Sequence, residues 1–352
     1  MSFMRDEIRQ QPAALERTLR QEIKNVEKLK KRLEKNPPRM IVLAARGTSD
    51  NAALFGRYLL EIATGIPVSL AAPSIFTLYG ATLRCQDALF VAISQSGEST
   101  DTNLVLERAK EQGALTIGIT NEAESSLAKL AEHAFLVRAG REKSVAATKT
   151  YTGQMLMAYL LAYALGAKIK LDDLKRLPEW AAASLKLEKE ISERAEPYRY
   201  MRHTVVVGRG LNYANAYEFA LKMMETCYVV AERFSSADFL HGPIAMVESA
   251  FPVFLFGPGG VTWPSMQGMR ERLEQLKADT LLITDASNKE VAASKRVIRI
   301  PAKLRHAGPL PEDVYTPIPY IIPAQLFAAS LAEEKGLDPD QPRTLTKVTR
   351  TL

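Results

Sequence analysis

The sequence predicts an α/β protein of two tandem domains, each a parallel sheet flanked by helices, with a helical segment ahead of them. Three observations carry that prediction. Short continuous apolar runs alternate with stretches of helical period, the alternation occurs twice along the chain, and the second series overlies the first at a nearly constant offset.

The elements follow in order. In "EIKNVEKLKKRLEKNPPR" (22–39), Lys and Arg alternate with Glu at helical spacing until two prolines stop the pattern, as expected of a helix with a solvated charged face. The first series of strands is then "MIVLAA" (40–45), "DALFVAIS" (87–94), "LTIGIT" (115–120) and "HAFLVRA" (133–139). The second series is "TVVVGRG" (204–210), "AFPVFLF" (250–256), "TLLIT" (280–284) and "RVIRIP" (296–301). Unbroken apolar runs of this length suit strands covered on both faces, which is where parallel βαβ units place them. "ARGTSDNAA" (45–53) matches "GRGLNYANA" (208–216), "DALFVAISQSG" (87–97) matches "SAFPVFLFGPG" (249–259), and "ALTIGIT" (114–120) matches "ADTLLIT" (278–284), at offsets of 162–164 residues. The expected organisation is a helical segment over 1–35, a first domain over 36–175, a linker helix over 176–200, a second domain over 201–335, and a tail over 336–352 that closes the active site.

Bulk properties narrow the function. At 352 residues, 47% apolar and 24% charged, the chain has the make-up of a soluble globular protein with room for two domains. No apolar run approaches the roughly 20 residues of a membrane span, and "MSFMRDEIRQQ" lacks the apolar core of a secretory signal. Cys85 and Cys227 form no CxxC and have no His-rich partner, so neither a disulfide framework nor a metal site is expected, and the cytoplasm is the expected compartment. The net charge of +6 raises the question of nucleic acid, but its densest stretch is the solvated helix face. A sugar-sensing regulator would need a helix-turn-helix module, for which the segment before the first strand has no room. Neither a nucleic-acid nor a membrane partner is expected.

One loop stands out. "FVAISQSGEST" (90–100) runs from a buried strand into three serines, a glutamine and a glycine, where the next helix should open. The equivalent loop of the second copy is "FGPGG", which makes the same turn without hydroxyls. The turn therefore does not require Ser94, Gln95, Ser96 and Ser99, and the extra donors point to ligand chemistry. Backbone N–H groups and the helix dipole at that position favour an anion, Gly97 frees the backbone, and hydroxyl and amide groups add bonds to phosphate oxygens. The loop holds no Lys or Arg and the Walker pattern is absent, so a compact monophosphate fits better than a nucleoside triphosphate. A helix cap would account for Ser96 or Ser99 taken singly. In "RGTSDN" (46–51), Thr48 and Ser49 close the first strand in the same fashion, and read alone they are a cap.

The catalytic candidates lie in "EFALKMMETCYVVAERFSSADFLHGPIA" (218–245). Glu225 stands late in an amphipathic helix, where apolar neighbours would raise its pKa toward that of a carbon-acid base, although spacing alone equally allows an exposed glutamate. His241 precedes Gly-Pro, outside regular structure, and could act as acid or base near neutral pH. His133, His203 and His306 lack such a setting. Lys347 sits in a polar tail and gains carbonyl chemistry only if the tail folds back over a pocket.

Four stretches in order, "SQSGES" (94–99), "VAATKTYTGQ" (145–154), "ALKMMETCY…HGPIA" and "YIIPAQLFA…KGLDPDQPRTLTK", carry a resemblance. From about residue 35 onward the chain resembles the double sugar-isomerase (SIS) domain family, in particular the isomerase half of glucosamine-6-phosphate synthase and its relatives. That resemblance implies two three-layer αβα domains of flavodoxin-like type and a homodimer that binds a sugar phosphate without any cofactor. It implies that Ser94, Gln95, Ser96 and Ser99 hold the phosphate, with Ser99 where threonine is common. Ser49 contacts the sugar phosphate and Val145 contacts it through its backbone. It further implies that Glu225 moves a proton between C1 and C2, that His241 arrives from the other subunit to open the sugar ring, and that Lys347 can form a Schiff base with the open-chain ketose.

The sequence departs from the family pattern in three places. Arg46 stands where the synthases have cysteine, adding a positive charge near the pocket. Ala147 replaces a serine that touches the sugar. Residues 1–35 stand where the synthases have a glutaminase domain with an N-terminal cysteine nucleophile. Together with the low concentration of physiological ammonia, the last departure makes amine release the expected direction. The reading is a glucosamine-6-phosphate deaminase. The alternatives are a fructosamine-6-phosphate deglycase, a sugar-phosphate isomerase acting without nitrogen, and a non-catalytic amino-sugar-phosphate sensor.

Overall fold

Each apolar run becomes a strand of a parallel sheet. The computed structural model describes residues 2–291, 296–306 and 308–347. In the first sheet, β1 (Met40–Ala44), β2 (Val68–Leu70), β3 (Ala88–Ile93), β4 (Leu115–Thr120) and β5 (His133–Leu136) lie in the order β2-β1-β3-β4-β5, all parallel. The register sets Ile41 beside Leu89 and Leu43 beside Val91. In the second sheet, β6 (His203–Gly208), β7 (Val230–Ser235), β8 (Pro252–Phe256), β9 (Asp279–Asp285) and β10 (Val297–Ile300) lie in the order β10-β9-β8-β6-β7, also parallel. Read from the other edge, that is the same topology, so the duplicated sequence is a duplicated fold. The order is the flavodoxin-like one.

The chain divides into two units. Among the described residues, one holds Ala13–Glu142, Lys149–Lys175 and the tail from Leu345; the other holds the stretch up to Pro12, Lys143–Thr148 and Arg176–Thr344. Of the tail over 336–352, residues 348–352 lie outside the described residues.

Within each unit the first helix after the first strand packs on the last helix. In the first unit the helix Thr48–Thr64 meets Lys149–Ala164, with the Phe55 and Tyr159 rings 5.2 Å apart, edge to face. In the second, Tyr213–Cys227 meets Pro317–Glu334. Both closing helices are buried almost throughout, which matches their lack of a polar stripe. Beneath the second pair, Phe254 sits among Phe327 at 4.9 Å, Phe219 at 5.1 Å and Tyr198 at 5.5 Å.

The amino-terminal segment is two helices, Phe3–Arg9 and Gln11–Leu33. The second buries Leu15, Val26, Leu29 and Leu33 and exposes Lys24, Lys28, Lys31 and Arg32, the solvated basic face expected of it. The stretch 176–200 holds the helices Leu177–Leu185 and Glu188–Ala195 and a 3-10 turn at Glu196–Tyr198, where Pro197 is seated. No helix among the described residues is long and apolar enough to cross a membrane.

Phe254→Ala removes a fully buried ring from the centre of the aromatic cluster. It is expected to cost about 3–5 kcal/mol, measured as a lowered urea midpoint. An unchanged midpoint would show that the cluster does not hold the unit together.

Candidate functional site

In a parallel sheet of this order the chain leaves β1 and β3 toward opposite faces, and a crevice opens outside their carboxyl ends. The loop after β1 carries Arg46 and leads into a helix that opens with Thr48 and Ser49; the loop after β3 carries Ser94 to Ser99. The sheet thus brings both hydroxyl-rich stretches to one switch point. Gly97 has φ +68°, and a Cβ there would lie 2.2 Å from the Ser125 Oγ. The loop is tied down around it: the Leu127 N–H and the Asn103 side-chain amide donate to its carbonyl at 3.0 and 3.1 Å.

The serines keep hydrogens to give. The Ser94 Oγ accepts from the Gly97 N–H at 3.1 Å and the Ser96 Oγ from the Glu98 N–H at 3.3 Å, so each hydroxyl proton remains for another acceptor. Ser99 occupies the N-cap position of the helix Thr100–Glu111 but makes no capping bond; its hydroxyl meets that of Thr102 at 3.0 Å. The cap interpretation of Ser99 therefore fails, and the first turn of that helix lacks a side-chain cap. The Gln95 side-chain amide makes no hydrogen bond among the described residues, while its carbonyl is used by Asn121 and Thr120.

"RGTSDN" also differs from a simple cap. Gly47, at φ +57°, is the N-cap, Thr48 and Ser49 lie inside the helix, and Gln154 donates to the Ser49 Oγ at 3.0 Å. The other amide atom of Gln154, Oε1, is buried without a partner. Arg46 is not a loose positive charge: its Nε and Nη2 donate to one oxygen of Asp101 at 3.1 and 2.8 Å.

The matching crevice of the second sheet is filled. A Cβ on Gly257 would meet the Trp263 ring at 3.0 Å, and Trp263 is buried. Asp313 accepts from the Thr262 hydroxyl at 2.9 Å, and burial pushes its carboxyl above the usual range. A ring and a carboxylate occupy the region that the first sheet leaves to serines.

Glu225 lies in the last turn of the helix Tyr213–Cys227. Its setting corrects the expectation of purely apolar neighbours: the Lys222 ammonium is 2.5 Å from its Oε2 and 3.4 Å from the Glu218 Oε1. Lys222 and Glu218 are fully buried, whereas the Glu225 side chain is 23% exposed. A buried ammonium is tolerable only with such compensation. The triad leaves one carboxylate both charge-paired and accessible. His241 follows the short helix Ser236–Leu240 and is exposed, with no side-chain hydrogen bond among the described residues; Gly242 turns the chain away at φ +142°.

Lys347 folds back onto its own unit, 25% exposed, with its Nζ 3.1 Å from the Oε2 of the buried Glu142. The Thr150 hydroxyl donates to the same carboxylate oxygen at 2.6 Å and the Thr150 N–H to the other at 3.2 Å. Val145 and Ala147 lie in the half-buried loop ahead of the helix Lys149–Ala164. The Val145 N–H is taken by the Asp340 carbonyl at 3.2 Å, so a backbone contact at Val145 falls to its own carbonyl. Among the remaining histidines, burial and Arg32 lower the pKa of His133, and the His306 ring packs edge-on against Tyr315.

Sequence reasoning missed Glu142, Gln154, Glu218 and Lys222. Only the last two carried a signal, an acid and a base spaced i, i+4 in a helix otherwise apolar around them.

Comparison with known proteins follows this geometry. The SIS domain profile matches residues 36–164 and 199–332. The glutamine–fructose-6-phosphate aminotransferase (isomerizing) of Pyrococcus horikoshii is 35% identical over 353 residues, covering 98% of this chain. The chain spans 57% of that relative's length. The C-terminal domain of glucosamine-fructose-6-phosphate aminotransferase from Francisella tularensis superposes with a TM-score of 0.86 at 29% identity, covering 97% of this chain and 98% of that one. A glucosamine-6-phosphate deaminase from Thermotoga maritima shares the fold, with a TM-score of 0.81 at 23% identity over 99% of this chain and all of that one.

Two predictions follow from the packing. Gly97→Ala should cost on the order of 1–3 kcal/mol and weaken phosphate binding measured by calorimetry, and a variant that binds like the parent would show that the loop's shape is immaterial. Lys222→Met should destabilise by about 3–5 kcal/mol, because it withdraws the ammonium from buried Glu218. Adding Glu218→Gln should recover most of that loss in a thermal melt.

Proposed function

The chain belongs to the SIS domain family, and from that premise we propose that it is a glucosamine-6-phosphate deaminase. The observation that carries the reading is the accessible Glu225 carboxylate held by a buried ammonium, in a chain that also places serine hydroxyls with protons to donate after β3.

In this reading Ser94, Gln95, Ser96 and Ser99 bind the phosphate with the open helix turn behind them. Thr48, Ser49, the Val145 carbonyl and the Ala147 loop line the sugar. A second copy of this chain brings His241 to the ring oxygen for opening. Glu225 removes the C2 proton of the open-chain aldehyde, the electrons moving to the C1 carbonyl to give an enolamine. The proton returned at C1 then leaves a ketimine at C2. Water adds to that carbon and the nitrogen leaves as ammonia, so glucosamine 6-phosphate and water give fructose 6-phosphate and ammonia. Lys347 could attack the same carbon, but only as a free amine; its contact with Glu142 favours water as the direct nucleophile.

Both thiols of this chain are unreactive in their settings. Cys85 and Cys227 are both buried, and burial pushes Cys227 up to about 12. Neither therefore suits a thiolate nucleophile.

A second reading rests on Ala147. A methyl where the family pattern has a hydroxyl leaves space and removes a donor, which suits the bulkier amine of a fructosamine-6-phosphate deglycase substrate. Purified protein supplied with glucosamine 6-phosphate is expected to release ammonia, and Glu225→Gln to lower turnover by about 10²–10⁴-fold while substrate binding persists. Turnover of fructoselysine 6-phosphate alone would move the assignment to the deglycase. Isomerisation of plain hexose phosphates alone would make the protein a sugar-phosphate isomerase. Binding with no turnover of any of these, unaffected by Glu225→Gln, would identify a sensor.

A further inference from the structure

Two helices open at the β1/β3 switch point, and each carries an acid in its first turn: Asp50 in Thr48–Thr64 and Asp101 in Thr100–Glu111. Both sit where helix N-termini favour negative charge. Asp101 is the more telling, being two residues past Ser99 and only 4% exposed at its side chain. A buried carboxylate there occupies the same favourable field that a phosphate dianion would use, and repels it.

Arg46 answers both acids. Its guanidinium, 48% exposed, directs Nε and Nη2 at one Asp101 oxygen. It also acts on Asp50, whose carboxyl is pushed up by burial and drawn down by Arg46. The phosphate loop contains no cation of its own. We propose that Arg46 is a positioning residue that neutralises Asp101, so that the amine-free serine loop can accept a dianionic phosphate ester. The guanidinium thus acts through the carboxylate it holds, and its task is to prepare the crevice for the monophosphate class of substrate.

This inference rests on the phosphate-loop reading above, and the experiment separates the two. Binding of inorganic phosphate to the full chain is measured by calorimetry for the parent, Arg46→Gln, Asp101→Asn and the double variant, with thermal melts as a control for folding. Arg46→Gln is expected to weaken phosphate on the order of tenfold. The double variant should return to within about threefold of the parent, because the acid that needed neutralising is gone. In turnover assays the single change should appear mainly in KM.

If Arg46→Gln binds phosphate as well as the parent, or the double variant is no better than the single, the inference is overturned while the loop reading stands. If the parent binds no phosphate, both fail. If Arg46→Gln weakens only substrates bearing an amino-acid carboxylate, Arg46 contacts substrate directly and the neutralising role is wrong. Should Arg46→Gln fold poorly, the double variant against Asp101→Asn alone decides: equal affinity supports the proposal, and a further loss on removing Arg46 overturns it.

Discussion

A parallel sheet in the order β2-β1-β3-β4-β5 must send the chain to opposite faces after β1 and β3, and the resulting crevice cannot be closed by main chain alone. What stands in that crevice is left to side chains. In the first sheet the loop after β3 presents two serine hydroxyls that each accept from a neighbouring N–H group and keep a proton to donate. Gly97 makes this possible, because its left-handed backbone and lack of a side chain let the loop lie against Ser125. The same topology in the second sheet is closed by Trp263 and by Asp313. Duplication therefore produced two equivalent switch points, one lined by serine hydroxyls and one lined by a buried ring and a buried carboxylate.

Charge is handled in a consistent way across the chain. Each functional candidate that carries charge is paired with a partner buried more deeply than itself: Glu225 with Lys222, Lys347 with Glu142, and Arg46 with Asp101. In every case the buried member has little water to stabilise it, so it depends on the exposed member as much as the reverse. An exposed group held in this way loses rotamer freedom before any ligand arrives, which lowers the entropic cost of ordering it on binding. The arrangement explains how residues at a helix end, a loop and a chain terminus can have defined positions without lying in the rigid core.

Much of the fold was legible because burial on two faces demands unbroken apolar runs, and β1, β3, β4, β6, β8 and β9 all have them. The strands that escaped notice are the edges β2 and β7. Val68–Leu70 is only three residues long, and Val230–Ser235 carries Glu232 and Arg233, which an edge tolerates and a centre does not. In the candidate site, the serine loop was legible through contrast with its own duplicate, since "FGPGG" shows what the turn alone requires. The surroundings of Glu225 were not. The residues at positions 220, 221 and 224 suggested an apolar wall, while Lys222 lay within the same motif and read as another helix residue. Pairings such as Lys347 with Glu142 join positions 205 apart, and no local pattern announces them.

The Lys347 contact bears on how a chain of this kind divides its chemistry. A lysine serves as a nucleophile only when its nitrogen can reach the carbonyl carbon, and the Lys347 Nζ is held 3.1 Å from a carboxylate oxygen of the buried Glu142. Glu142 is also held by two groups of Thr150, so it is fixed in place and cannot swing away to release its partner without breaking those bonds. Forming a Schiff base would thus require Lys347 to leave Glu142, breaking a contact on which the buried carboxylate depends. Hydrolysis of a ketimine by water carries no such requirement. In the proposed deaminase reaction the tail lysine would then serve by position and charge, with the imine of the substrate as the electron sink.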